Sequence, residues 1–172
     1  LQGRYQWNRR ETKAFEKAVE FFKQAIAKDP NYALAYSGLA DTYALFPAYG
    51  NFRTKDYLPK AKEAAQKALE LDPNLAEAHA SLGQILIYGE YDFAGGERSY
   101  KRSIELNPKY ATAHQWYGEL LFVSGRRDEA FKELSKALEL DPFSMIINKE
   151  MRKFLLLARR FDEALLQSKK VN

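Results

Sequence analysis

The stretch of residues 109–142, KYATAHQWYGELLFVSGRRDEAFKELSKALELDP, decides how this chain is read. Tyr117, Gly118 and Leu121 fall at helical spacing in its first half, and Ala130, Leu134 and Ala137 do so in its second. Apolar residues three and four apart share one face of a helix. Ser124-Gly125 interrupts the pattern and Asp141-Pro142 ends it, so the spacing predicts two helices joined by a short turn. Glycine inside a helix costs about 1 kcal/mol relative to alanine. Gly118 therefore implies the close approach of a neighbouring helix.

The same pattern recurs outward from this stretch. Lys28-Asp29-Pro30-Asn31, Leu71-Asp72-Pro73-Asn74, Leu106-Asn107-Pro108-Lys109 and Leu140-Asp141-Pro142-Phe143 are near-identical phrases, with prolines spaced by 43, 35 and 34 residues. Proline cannot continue a helix and pushes the residue before it out of the α region, so each phrase reads as a helix stop. Its Asp or Asn is a candidate cap for the next helix. A recurrent period near 34 is a repeat, and a repeat of that length is one helix–turn–helix unit.

Taken residue by residue, the pattern resembles the tetratricopeptide repeat. That family has a large residue, Leu, Gly or Ala, and Tyr along helix A, then Ala, a large residue, Ala and Pro along helix B. The matching residues are His114, Tyr117, Gly118, Leu121, Ala130, Leu134, Ala137 and Pro142. One repeat earlier they are His79, Leu82, Gly83, Leu86, Gly96, Tyr100, Ser103 and Pro108, and before that Tyr36, Leu39, Ala40, Tyr43, Ala61, Ala65, Ala68 and Pro73. Ala18, Phe22, Ala25 and Pro30 supply an N-terminal helix B, while Asn148, Met151, Leu155 and Ala164 form a degenerate last copy in which Arg152 takes the small-residue position. The resemblance implies an all-α fold: a right-handed superhelical solenoid of antiparallel helix pairs. The expected organisation is a single array over residues 1–172, with repeats at 1–30 (truncated), 31–73, 74–108, 109–142 and 143–172.

The 31–73 repeat is too long. The excess lies around 46–57 and carries Phe46, Tyr49, Phe52 and Tyr57 among Pro47, Gly50 and Pro59. Insertions in solenoids fall in loops on one face. These aromatics are a candidate lid over a small ligand, or the anchors of a longer connection that packs back on its neighbours. Helix A is expected to end near Phe46, and helix B to restart after Thr54 to Tyr57 with Pro59 in its first turn.

Composition narrows the functional classes. With no Cys, disulfides, cysteine-based zinc sites and thiol nucleophiles drop out. His79 and His114 are the only histidines, at equivalent repeat positions, and read as a packing feature rather than metal ligands. No phosphate loop or nucleophile elbow occurs, and Asp128-Glu129 and Asp162-Glu163 sit where helix B begins, suiting the helix dipole. The expectation is no enzyme, no cofactor and no metal. Residues 1–28 and 143–172 each hold seven Lys/Arg against three acidic residues, so the ends are basic and the centre acidic, which does not make a nucleic-acid-binding stripe. No apolar run is long enough to span a membrane. The opening Leu1-Gln2-Gly3-Arg4, without Met, suggests a segment of a longer protein, expected in the cytoplasm, or in the periplasm as part of a membrane-anchored regulator.

In the tetratricopeptide family the A helices line a concave groove. The resemblance implies a peptide- or helix-binding groove of Ser37, Asp41, Ala44, Glu77, Gln84, Ile87, Thr112, Gln115, Glu119, Phe122, Lys149 and Lys153. Family members that clamp a C-terminal carboxylate use Lys, Asn and Arg at positions where this chain has Ser37, Asp41, Gln115 and Glu119, so that mode is not expected. Phrases such as Ala111-Thr112-Ala113-His114-Gln115-Trp116-Tyr117-Gly118 are similar to arrays appended to bacterial signalling proteins. The implied function is a non-catalytic protein-interaction scaffold. The alternatives are self-association through Phe154, Leu155, Leu156 and Leu157, and small-ligand sensing by the aromatic insertion.

Overall fold

The computed structural model describes residues 1–50 and 52–169; Asn51 of the 46–57 insertion and residues 170–172 of the last repeat lie outside the described residues. Among the described residues the chain forms ten α-helices, one 3-10 turn and no strand. The helices are α1 (Gln2–Asn8), α2 (Thr12–Lys28), α3 (Ala33–Leu45), α4 (Thr54–Leu71), α5 (Ala76–Glu90), α6 (Phe93–Leu106), α7 (Ala111–Val123), α8 (Arg127–Leu140), α9 (Met145–Leu157) and α10 (Phe161–Lys169), with the 3-10 turn at Phe46–Ala48. They group into two compact units, Leu1–Leu106 and Asn107–Asn172, and the division falls at one of the Asx-Pro stops. The first unit holds the pairs α1/α2, α3/α4 and α5/α6; the second holds α7/α8 and α9/α10.

Local chemistry explains the stops. At Asp29, Asp72, Asn107 and Asp141 the backbone carbonyl accepts a hydrogen bond from the N–H three residues on, at 3.0–3.3 Å, closing a turn with proline at its second position. The Asp29, Asp72 and Asn107 side chains also accept from the N–H two residues on, at 3.0, 3.0 and 3.1 Å. These side chains therefore stabilise the turn itself. The residues at the caps of the following helices, Tyr32, Leu75 and Tyr110, make no side-chain cap bond. Ser144 does cap α9, accepting from the Ile147 N–H at 3.4 Å.

The two helices of a pair differ in character. α3, α5 and α7 are apolar around most of their circumference, and α3 is buried without a break from Ser37 to Tyr43. A helix that is hydrophobic all round is packed on more than one side, and α3 does lie against both α4 and α5. α2, α4, α6 and α8 bury one stripe each, such as Ala61, Ala65 and Ala68 in α4. Gly118 sits where α7 crosses α8: a Cβ there would stand 2.8 Å from Leu134 Cγ and 3.2 Å from the Ala130 carbonyl oxygen. The second unit's core is Leu134, Met151, Phe154, Leu155 and Ala164.

Several helix A termini leave through the left-handed region. Gly125 (φ 80°), Tyr91 (φ 58°) and Arg159 (φ 61°) occupy it. The next residue's N–H bonds back to a carbonyl near the end of the helix, as in Asp92 to Leu86, Arg126 to Leu121 and Arg160 to Leu155. α3 ends at Leu45, beside the expected Phe46, but α4 already starts at Thr54, before the expected restart, so Pro59 lies inside the helix, in its second turn rather than its first. The N–H it lacks would have bonded the carbonyl four residues back, and the ring itself is exposed.

Candidate functional site

In the first unit, the candidate groove positions divide sharply by burial. Ser37 and Asp41 of α3 are fully buried. The Asp41 carboxylate accepts from Arg4 Nη1 of α1 at 2.7 Å and from the Ser81 hydroxyl of α5 at 2.5 Å, and the Ser37 and Ser81 hydroxyls lie 3.2 Å apart. Burial pushes the Asp41 carboxyl above its ordinary range, against the opposing pull of Arg4 and Ser81. Gln84 and Ile87 are also buried. Ile87 seats against α6, where a Cβ on Gly96 would collide with its side chain. These four residues thus differ from the expected display. Their helices present both flanks to neighbours, and the Ser37 and Asp41 groups pair with partners inside the fold instead of facing outward. Ala44 and Glu77 remain half-buried.

In the second unit, Thr112, Glu119 and Phe122 of α7 are half-buried, while Gln115 is buried and donates from Nε2 to Glu119 Oε1 at 2.8 Å. Phe122 stacks on Phe154 of α9, with ring centroids 4.3 Å apart, and meets Phe131 of α8 edge-on at 6.0 Å. Lys149 and Lys153 are exposed on α9. The Lys153 ammonium pairs with Glu150 and lies 4.5 Å from the Phe154 ring centroid. The positions with accessible surface are therefore Ala44, Glu77, Thr112, Glu119, Phe122, Lys149 and Lys153.

The four aromatics of the insertion collapse onto one another and onto the helices. Phe46, only 3% exposed, is central: it stacks on Tyr57 at 4.8 Å, meets Phe52 edge-on at 4.9 Å and contacts Phe15 of α2 at 5.7 Å. Tyr49 packs edge-on against Phe15 at 5.3 Å, and its carbonyl accepts from the Thr12 hydroxyl at 2.5 Å. Opening this segment as a lid would separate Phe46 and Tyr49 from Phe15 and break the Thr12–Tyr49 bond. The geometry is that of a connection anchored by its own rings.

The histidines act at the turns. His79 Nε2 lies 2.9 Å from the Pro73 carbonyl and His114 Nε2 lies 3.0 Å from the Pro108 carbonyl. Asn148 repeats the contact, donating from Nδ2 to the Pro142 carbonyl at 3.0 Å. Among the described residues no group of three or more His, Asp or Glu is placed to hold a metal ion, and no helix is long and apolar enough to cross a membrane. The residues that sequence reasoning missed are Arg4 and Ser81, which complete the Asp41 cluster, and Glu133, which pairs with His114 at 2.6 Å. A low-polarity helix carrying Ser at position 37 and Asp at position 41, one turn apart, was a usable signal for the first.

A family model described as Tetratricopeptide repeat matches residues 91–144. The chain is 33% identical over 143 residues to the transcriptional regulator HilA of Salmonella typhimurium; this covers 83% of the chain but only 26% of the regulator, so the chain spans about a quarter of that relative's length. It is 32% identical over 81 residues to Hsp70-Hsp90 organizing protein 3 of Arabidopsis thaliana, covering 46% of the chain and 13% of that protein. Among solved structures, a thermophilic tetratricopeptide protein of Thermus thermophilus superposes with a TM-score of 0.66 at 25% identity, over 84% of this chain and 78% of that one. The all-helical fold is that of tetratricopeptide solenoids, whose general role is to hold proteins together without catalysis.

Proposed function

Because the chain belongs to the tetratricopeptide repeat family, we propose that it is a non-catalytic interaction segment of a larger regulatory protein, binding a partner peptide or helix on its A helices. The observation that carries this reading is the division of the A-helix residues by burial. Ser37, Asp41, Gln84, Ile87 and Gln115 are consumed by packing, while Glu77, Thr112, Glu119, Phe122, Lys149 and Lys153 keep accessible surface. In the second unit this leaves a half-buried acid and an apolar ring on α7 and two exposed cations on α9. A partner segment of mixed charge with an apolar side chain fits that chemistry. The likeness to HilA, a transcriptional regulator, supports placement in a regulatory protein, and the Hsp70-Hsp90 organizing protein supports partner binding.

The test is a peptide-array screen with the wild type, Glu119→Ala and the double variant Lys149→Glu/Lys153→Glu. Peptides retained by the wild type and lost by both variants support the reading. Retention that neither variant alters removes the A helices as the binding face.

A second reading rests on a separate observation. Leu156, Leu157, Phe161, Leu165 and Leu166 of α9 and α10 are between 48% and 61% exposed. Exposed apolar clusters mark interaction surfaces, and self-association through this end would cover them. Light scattering that finds a monomer at high concentration counts decisively against this second reading.

A further inference from the structure

The polar residue near the start of helix A recurs as His79, His114 and Asn148, and each bonds the proline carbonyl six residues earlier. In the second unit the contact extends to helix B at a fixed separation. His114 Nδ1 lies 2.6 Å from Glu133 Oε2, and Asn148 Oδ1 accepts from Gln167 Nε2 at 2.6 Å, nineteen residues on in both cases. The two repeats thus build one clasp, from turn to helix A to helix B, with different chemistry. The amide pair does not titrate. The His114 ring does.

A neutral imidazole has one N–H and one lone pair. The Pro108 carbonyl can only accept, so it requires the proton on Nε2. The ionised Glu133 carboxylate can also only accept, so it requires one on Nδ1. Only the imidazolium satisfies both; the neutral ring must turn its lone pair toward one of the two acceptors, the Pro108 carbonyl at 3.0 Å or the Glu133 carboxylate at 2.6 Å. The His114 side chain is 7% exposed, so water does not readily replace the lost bond.

We propose that His114 is a proton-operated clasp joining the Pro108 turn, α7 and α8, closed while the ring is charged and loosened when the ring loses its proton and with it one of these two bonds. The charged groups acting on the ring are Glu133 and Lys136, both on α8. Burial, the largest influence, disfavours the charged ring, and Lys136 opposes it too. The bonds to Glu133 and Pro108 and the charge of Glu133 outweigh them, leaving the ring above its ordinary value of 6.5. A basic group held above its unfolded value contributes stability that is complete below that value and is lost as pH rises through the folded one. The α7/α8 pair is therefore tightest in mild acid and relaxes above it, while the Asn148–Gln167 clasp of α9/α10 is indifferent to pH.

The test uses the chain of residues 1–172, labelled with nitrogen-15. Side-chain NMR should show His114 titrating above free imidazole with both ring nitrogens protonated at low pH. Amide protection factors in α7 and α8 should fall about threefold or more as pH passes through that titration, relative to α9 and α10. The double variant His114→Asn/Glu133→Gln copies the neighbouring clasp and should abolish this difference. A His114 titration at or below that of free imidazole overturns the proposal, and so does a parallel fall in wild type and variant. If the variant does not fold, the wild-type titration decides alone.

Discussion

Arg4 of α1 holds Asp41 of α3 at 2.7 Å, and the carboxylate it holds has no exposure to solvent. The second carboxylate oxygen takes the Ser81 hydroxyl of α5, so one acid ties three successive A helices. Removing one partner of a buried pair strands the other charge, at a cost of about 3–5 kcal/mol. Arg4 is 30% exposed, which places Arg4→Met near the lower end of that range. Urea unfolding should show the loss, and adding Asp41→Asn to Arg4→Met should recover part of it. The defect should also shrink as pH falls. Burial already raises the Asp41 carboxyl. An acid raised above its unfolded value gains stability as pH falls through its folded value, and a neutral carboxyl needs no guanidinium.

Gly118→Ala tests the close crossing of α7 and α8. Alanine is the better helix former by about 1 kcal/mol, yet its Cβ would press on Leu134 and on the Ala130 carbonyl, which belongs to backbone and cannot swing aside. Overpacking of this kind costs about 1–3 kcal/mol. A net destabilisation in urea melts is expected, and a stabilised variant would show that the helices part freely.

Arg159 occupies the left-handed region at the end of α9, the role Gly125 fills at the end of α7. A side chain there costs about 1–2 kcal/mol of steric strain. Arg159→Gly should raise the thermal midpoint of the chain. Gly125→Ala, at the equivalent turn, should lower it by a similar amount although nothing crowds that position.

Phe46 is the hub of the insertion. Phe46→Ala removes its contacts with Phe15, Phe52 and Tyr57 together and should cost about 3–5 kcal/mol. Limited proteolysis should then cut within residues 46–57, where the wild type resists. Equal resistance in both proteins would mean that the rings do not hold the connection.

The helix pairs were legible because their punctuation is chemical. Proline, Asx and glycine impose backbone geometry locally, so the period could be read without knowing what packs on what. The groove was less legible because a helix A face is defined by its neighbours. Ser37, Asp41 and Gln115 are polar, and polarity suggests exposure when residues are considered singly. Their partners, Arg4, Ser81 and Glu119, lie one turn or one repeat away. The insertion was legible in its composition but not in its packing, since four rings can cover a ligand or one another equally well by sequence. The histidine pair was legible as a repeat feature; its acceptors were not, because a carbonyl carries no residue signature.

The Asx-Pro turns close their backbone and side-chain hydrogen bonds within four residues. What such a turn takes from the repeat that follows it is small: the carbonyls of Pro73, Pro108 and Pro142 meet His79, His114 and Asn148, and Asn74 accepts from Arg102. A gene that loses or duplicates a cassette at these joints would keep the turn's internal bonds, and the proline carbonyl would keep its partner wherever the incoming helix A carries His or Asn six residues on. Only the apolar faces would need to find new partners, and those tolerate change as long as volume is kept. The turn is therefore the splice point that lets such a chain grow or shrink by whole helix pairs.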